Sequence, residues 1–257
     1  MSVNASSARR RSSSLAVAVW ATLLASVVLA SVAGCSGVAA RGMNAEGVRQ
    51  FQQANYEEAI RQFHEAINTD PNNPDGYYNL ARVYHHLGKL NHDQSQLEQA
   101  RHFYELCRHY DPGHAECHRG LAVLLVEQGE SDEAFQLLEE WARRDPFSAE
   151  PKIELARLYE EFGDRETAIE QLRSAVAVDP RNARAFAALG RLHEQIGDLD
   201  QALRDYERAH GYDPRQEAVA ERIAALRSQL VRSAPGDSPP GSGAETRIVR
   251  GRSNPLR

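Results

Sequence analysis

The sequence has few aromatic and sulfur-containing residues and no excess of basic charge. Its 257 residues include two Trp, two Met and three Cys, and aromatic residues make up 7%. A core must therefore come mainly from Ala and Leu packing along helices. Asp and Glu number 36 against 30 Lys and Arg, giving a formal charge of −6, which argues against non-specific nucleic-acid binding. The 42% hydrophobic content still allows a substantial folded core.

The sequence also lacks the common motifs of catalysis. It contains no phosphate-binding Gly loop, no nucleophile elbow and no His-Glu-x-x-His motif. Its many carboxylates fall at helical spacing, where we expect them on solvated faces rather than in a catalytic pair. We therefore assign no catalytic residue, cofactor or small-molecule substrate, and we predict a protein that is not an enzyme.

The amino terminus has the three-part layout of an export signal. A basic Arg9-Arg10-Arg11 group precedes an uncharged stretch from Leu15 to Ala33. The segment then ends in Val32-Ala33-Gly34-Cys35, which resembles the bacterial lipoprotein box, whose Cys is lipidated and becomes the first residue after cleavage. The resemblance implies a signal peptide over residues 1–34, a lipid on Cys35 and a short tether over 35–39.

Two other fates of this segment stay open. The 19 uncharged residues come close to the length that spans a bilayer, and ordinary cleavage without lipidation is the other alternative. In the lipoprotein and the uncleaved form alike, the Arg group stays on the cytoplasmic side and the rest of the chain lies outside the cytoplasm. Ser36 follows the Cys, and in proteobacterial relatives a non-acidic residue there directs lipoproteins to the outer membrane. We predict an extracytoplasmic, membrane-anchored lipoprotein in the outer membrane, facing the periplasm.

Asp-Pro pairs divide the rest of the chain at regular intervals. Their prolines, at positions 71, 112, 146, 180 and 214, are 41 and then three times 34 residues apart. Aligned on them, position 20 is always Ala, and position 8 is always small. Position 24 is always large, as in Phe63 and Tyr206. Small residues at positions 8 and 20 allow two helices to approach closely, and the large residue at 24 fills the space beside them.

This 34-residue pattern resembles the tetratricopeptide-repeat family. The resemblance implies an all-α fold, a right-handed α-solenoid of about five helix-turn-helix repeats with a C-terminal capping helix. The implied segments are repeats over 40–73, 74–114, 115–148, 149–182 and 183–214, a capping helix over 215–232 and a disordered tail over 233–257.

Glycines and one insertion give finer expectations for the helix ends. We expect Gly88, Gly129, Gly163 and Gly197 to end the first helices of repeats two to five in a positive-φ conformation. Repeat two has seven extra residues between Leu90 and Ala100. Seven is close to two helical turns, which predicts an extended second helix starting near Asp93.

Members of the family bind peptides or proteins on the concave side, mainly through the first helix of each pair. The groove positions of the family correspond here to Tyr78, Asn79, Arg82, His85, His86, Arg119, Val123, Val126, Ile153, Arg157 and Arg191. We expect the Arg residues to receive acidic groups of a partner around an apolar patch. The alternative is that Glu154, Glu160 and Glu194 neutralise them within the groove. The implied function is a protein-protein interaction scaffold or adaptor of the bacterial cell envelope.

One cluster offers an alternative function. Cys107, His109, His114, Cys117 and His118 lie within twelve residues at the junction of repeats two and three, and sulfur with imidazole suits zinc or copper. Core packing with exposed His is the plainer interpretation, so we assign no metal. Cys107 and Cys117 are an even pair that is able to form a disulfide. The alternatives to a scaffold are thus a metal-binding accessory factor and a self-stacking structural oligomer.

Overall fold

The computed structural model describes residues 37–233 and is helical almost throughout. The expected signal peptide over residues 1–34, Cys35, Ser36 and positions 234–257 lie outside the described residues. The described helices are α1 (37–52), α2 (Tyr56–Thr69), α3 (Pro74–Asn91), α4 (Gln94–Tyr110), α5 (Ala115–Glu127), α6 (Ser131–Arg144), α7 (Glu150–Glu161), α8 (Arg165–Val178), α9 (Ala183–Gln195), α10 (Leu199–Tyr212) and α11 (Glu217–Ser233). No strand occurs between residues 37 and 233. The predicted all-α repeat fold is confirmed.

Two helices fall within each of the last four segments expected to be repeats, and the first segment contains α2 and all but the first three residues of α1. α1 begins at residue 37, inside the segment expected to be a tether. Polar N-caps such as Asn73 and Asp93 accept hydrogen bonds from the first backbone N–H groups of their helices. Gly129, Gly163 and Gly197 have φ near +83°, a conformation in which Gly carries no steric penalty. Capping hydrogen bonds thus stabilise the starts of these helices, and glycines with positive φ allow several of them to end.

The prediction for Gly88 is wrong. Gly88 lies inside α3, which continues to Asn91, and His92 takes the left-handed conformation with φ 53°. The insertion therefore lengthens both helices of repeat two, and α4 begins directly after Asp93, as expected. Gly88 is needed for a different reason. A Cβ added there would lie 2.6 Å from a methyl carbon of Leu97 on α4.

The helices pack closely at the repeat positions where the sequence has small residues, 8 and 20, and a large residue, 24. The five Ala residues at position 20 are fully buried; they are Ala59, Ala100, Ala134, Ala168 and Ala202. A Cβ added at Gly47 would lie 2.5 Å from the Phe63 ring, and one at Gly190 would lie 2.8 Å from the Tyr206 ring. In these two repeats the position 8 residue therefore lies directly against the large residue at position 24.

The chain divides into two compact units, one up to Asp179 and one from Pro180. In the first, each helix from α2 to α7 packs on the next helix along the chain, and α3 also contacts α5, as α5 contacts α7. In the second, α10 packs against both α9 and α11. Between residues 37 and 233 no helix is both long enough and apolar enough to cross a membrane.

Candidate partner-binding face and cysteine junction

The first helices of repeats two, three and four adjoin one another and form one face. Its outer side chains are exposed or half-buried, and we call them the α3–α5–α7 face: Tyr78, Arg82, His85, His86, Arg119, Val123, Val126 and Arg157. α1 adjoins this face because Phe51 lies edge-on to His86, with ring centroids 5.6 Å apart. Within the first unit, eight of the expected groove residues therefore lie on neighbouring helices.

Arg82 is held between two aromatic rings. Its guanidinium carbon lies 5.4 Å from the centre of the Phe51 ring and 5.6 Å from that of Tyr78. Both distances are within the range of a cation–π interaction. Arg82 lies at the surface, and among residues 37–233 no carboxylate forms an ion pair with it. The result is a surface guanidinium positioned by two aromatic rings.

The two histidines of α3 are held by neighbouring side chains. His86 Nε2 lies 2.9 Å from the hydroxyl of Tyr56 on α2. His85 Nε2 lies 2.8 Å from a carboxylate oxygen of Glu127, which also receives a hydrogen bond from Lys89. Glu127 is thus already paired on this side of the face.

On the α7 side of the face, two arginines pair with Glu154. Its side chain is 1% exposed, and Arg119 reaches it through Nε, 3.0 Å from both carboxylate oxygens, and through Nη2. Arg157 Nε donates to it at 3.2 Å. Burial alone would raise the pKa of Glu154, but the hydrogen bonds and charges of Arg119 and Arg157 outweigh it and lower that pKa. The expected alternative, neutralisation of groove arginines by glutamate, is therefore realised at Glu154.

Three expected groove residues do not form part of the open face. Asn79 and Ile153 are buried, with 8% and 7% exposure, so they contribute to the interior below it. Arg191 is exposed on α9, in the second unit. Val123 and Val126 are half-buried on α5 and supply the expected apolar contribution.

The junction between repeats two and three brings two cysteines together. Cys107 is in the last turns of α4 and Cys117 in the first turn of α5, and both are fully buried. Their Cα atoms are 6.3 Å apart, and the structure joins them by a disulfide bond. The predicted proximity of Cys107 and Cys117 is confirmed.

His114 is the third member of this junction. It is the N-cap of α5, and its Nδ1 accepts a hydrogen bond from the Cys117 N–H at 3.3 Å. Its Nε2 lies 3.6 Å from Asp75, whose carboxylate raises the pKa of His114. One ligand atom each from Cys107, His114 and Cys117 fall within 4.8 Å of one another. These three residues have the donor set of a metal site.

The other two histidines of the predicted cluster lie outside this group. His109 is exposed on α4. His118 stacks flat on Trp141 with centroids 4.1 Å apart, and its Nε2 donates to the carbonyl of Pro112. Burial lowers the pKa of His118 to about 4, so the ring is neutral in the core at neutral pH.

Sequence reasoning missed three residues that organise these sites: Phe51, Tyr56 and Asp75. Phe51 is at position 12 of repeat one, a groove position of the family, and an aromatic residue there was an available signal. Tyr56 and Asp75 act through contacts with His86 and His114, 30 and 39 residues away along the chain. No local pattern reveals contacts at that separation.

Profiles of the tetratricopeptide repeat match most of the described chain. A "TPR repeat" profile matches residues 47–88. "Tetratricopeptide repeat" profiles match 92–158, 125–192 and 185–218. Together these matches cover well over half of the 257 residues. The chain belongs to the tetratricopeptide-repeat family.

Solved structures with this fold include bacterial proteins. TTC0263 of Thermus thermophilus, a thermophilic TPR protein, is 23% identical; the match covers 74% of this chain and all of that one, with a TM-score of 0.55. PilF of Pseudomonas aeruginosa is 18% identical over 78% of this chain and 94% of that one, with a TM-score of 0.49. The first TPR domain of Spaghetti (RPAP3), solved with an HSP90 peptide, is 20% identical over 46% of this chain and 93% of that one, with a TM-score of 0.41. No curated protein sequence matches the chain significantly. The likeness to TTC0263 shows the fold.

Proposed function

We propose that this protein is a scaffold or adaptor of the bacterial cell envelope that binds a partner protein through the α3–α5–α7 face. A tetratricopeptide-repeat fold is consistent with a protein-interaction scaffold, and the described helices carry no motif that indicates a reaction. The observation that carries the proposal is Arg82, which lies at the surface, oriented by Phe51 and Tyr78, and free of an ion pair among the described residues.

Such an arginine suits recognition of an acidic side chain. A guanidinium pairs with a carboxylate through two parallel hydrogen bonds. Because the two rings already restrict the Arg82 side chain, binding would cost less conformational entropy than it would for a mobile arginine. Arginine and tyrosine are also enriched among the residues that contribute most to protein interfaces. The half-buried Val123 and Val126 add apolar area on the neighbouring helix.

Arg119 and Arg157 have a different part in this proposal. Both donate to buried Glu154, and loss of either would leave that carboxylate short of hydrogen bonds. Their side chains are still about one-third exposed, so they add positive charge to the face. A functional test must therefore use Arg82, because substitutions at Arg119 or Arg157 would also alter stability.

The envelope location rests on two features. Residues 9–35 have the layout of a lipoprotein signal, and the Cys107–Cys117 disulfide is of the kind that persists in oxidising compartments outside the cytoplasm. Both support a protein held at a membrane by lipid on Cys35.

The binding test compares Arg82→Gln with a matched control, Arg61→Gln. Arg61 is exposed on α2, where it pairs with Glu58 and Glu65. Each full-length, membrane-bound variant is crosslinked in cells, and the amount of each captured protein is quantified against wild type. We expect Arg82→Gln to reduce capture of the main partner at least tenfold, about 1.4 kcal/mol, and Arg61→Gln to leave it unchanged. Equal capture by both variants would show that the partner binds elsewhere.

A self-stacking oligomer remains the alternative among structural functions. Its test is the mass of the purified protein as a function of concentration. A mass that rises in steps of the monomer while Arg82→Gln has no effect on partner capture would favour it over the adaptor.

A further inference from the structure

The junction of α4 and α5 has a chemistry that the scaffold function does not use. Cys107 and Cys117 are fully buried, the His114 side chain is 11% exposed, and their ligand atoms lie within 4.8 Å of one another. We propose that, in its thiol form, this junction binds one zinc ion through Cys107, Cys117 and His114. The disulfide form lacks the two thiolates and so lacks the site.

The donors and their spacing suit zinc. Two thiolates and one imidazole are typical zinc ligands, with bonds of about 2.3 Å to sulfur and about 2.1 Å to nitrogen, and a tetrahedral arrangement then separates the ligand atoms by about 3.4 to 3.8 Å. The three ligand atoms lie within 4.8 Å of one another in the disulfide form, and reduction removes the bond between the two sulfur atoms so that they can separate to this spacing. The fourth position would be filled by water, as in other zinc sites with three protein ligands.

His114 has one nitrogen directed at the cysteine junction and the other directed at a carboxylate. In the disulfide form the Nδ1 lone pair accepts the Cys117 N–H, and zinc binding at Nδ1 replaces that hydrogen bond. The opposite nitrogen, Nε2, lies 3.6 Å from Asp75. A zinc-bound histidine usually donates its other N–H to a carboxylate, which fixes the ring and the tautomer. Asp75 is therefore placed as the positioning residue of such a site.

The place of Cys117 also favours the thiolate. It is the third residue of α5, where the dipole of a helix amino terminus stabilises negative charge. When zinc binds, each cysteine loses one proton to solvent and forms a bond to the metal. In the competing reaction, thiol–disulfide exchange with a disulfide reagent forms the Cys107–Cys117 bond and reduces the reagent to two thiols.

The first experiment uses the full chain without substitutions. One sample is reduced with a phosphine and stripped of metal, and a second is oxidised with glutathione disulfide; both receive Zn²⁺, are dialysed and are analysed for bound metal. We expect about one zinc per reduced chain and none per oxidised chain. With Co²⁺ in place of zinc, the reduced sample should show thiolate-to-cobalt charge-transfer absorption. A reduced chain that retains no zinc overturns the proposal, and so does equal zinc in both samples.

Variants then assign the ligands. His114→Asn removes the imidazole but keeps a good N-cap on α5, and it should weaken zinc binding at least tenfold. Asp75→Asn should weaken it by about tenfold or more. Exposed His109→Asn is the matched control and should bind as wild type does. Cys35→Ala should retain one zinc, because its thiol is not part of the site; a loss of zinc there, or unchanged zinc binding with His114→Asn, overturns the assignment.

Discussion

We predict that glycine-to-alanine substitution has opposite effects on stability at two positions of α1, because only one of the two glycines contacts α2. In Gly47→Ala, the new Cβ would lie 2.5 to 2.9 Å from three atoms of the Phe63 ring. Phe63 is 1% exposed, so its ring has little space to move away, and overpacking of this kind costs about 1 to 3 kcal/mol. Alanine is a better helix former than glycine by about 1 kcal/mol. The net effect is a loss of about 1 kcal/mol in the free energy of unfolding.

Gly42→Ala is the control. Gly42 is exposed on the same helix, and a Cβ there would meet nothing within 4 Å. Only the helix preference remains, so this variant should be more stable by up to about 1 kcal/mol. Urea unfolding followed by circular dichroism should separate the two variants by about 2 kcal/mol at equal slope. Equal stabilisation by both substitutions would refute the close approach of α1 and α2 at Gly47.

Three further predictions concern α8, Glu154 and the amino terminus. Ala168→Trp on α8 should cost about 2 kcal/mol or more in thermal or urea unfolding, because Ala168 is fully buried, whereas Glu170→Trp, exposed on the same helix, should change little. The pKa of Glu154 is lower in the folded state than its ordinary value of 4.5. The ionised carboxylate therefore stabilises the fold above pH 4.5, and this stabilisation is lost as the pH falls through the folded-state pKa. Glu154→Gln should therefore flatten the fall in stability as the pH drops below about 5 and through the lowered pKa of Glu154, and an unchanged slope would contradict the pairing with Arg119. Cys35→Ala should block signal cleavage and leave an unlipidated precursor in the membrane fraction, seen by mass spectrometry; a normally processed product would rule out lipidation.

The helix pairs were predictable because their determinants are local and repeat along the chain. A small residue such as Ala168 or Gly190 at a fixed position imposes a close helix contact, and Asp-Pro or Gly imposes a helix end. The same logic failed at Gly88. Whether a glycine ends a helix depends on the length of the helix, and the seven-residue insertion moved that end to His92. Histidine is one of the residues that enter the left-handed region more often than most.

The candidate face was predictable in outline but not in its charges. The family register identified Arg82 and Arg157 as groove residues on first helices, yet it did not reveal that Glu154 is buried between Arg119 and Arg157. Whether a surface arginine is free or paired depends on rotamers and on residues from adjacent repeats. Similarly, the aromatic pair around Arg82 needs Phe51 from the preceding repeat. These contacts are tertiary, and the spacing within one repeat does not contain them.

The position of Arg82 links the proposed face to the cysteine junction. The ring of Tyr78, one of the two that hold Arg82, has its centroid 5.4 Å from that of His114, and His114 caps α5, whose third residue is the disulfide-bonded Cys117. Arg82 is thus held by Phe51 of repeat one and Tyr78 of repeat two, and Tyr78 connects it to the junction with repeat three. Reduction breaks the covalent link between α4 and α5 without touching Arg82. A comparison of partner affinity in the oxidised and reduced chain therefore separates two effects. If the alignment of the repeats contributes to binding, partner affinity will differ between the oxidised and the reduced chain. If the Arg82 guanidinium contributes, Arg82→Gln will bind the partner more weakly than wild type in both states.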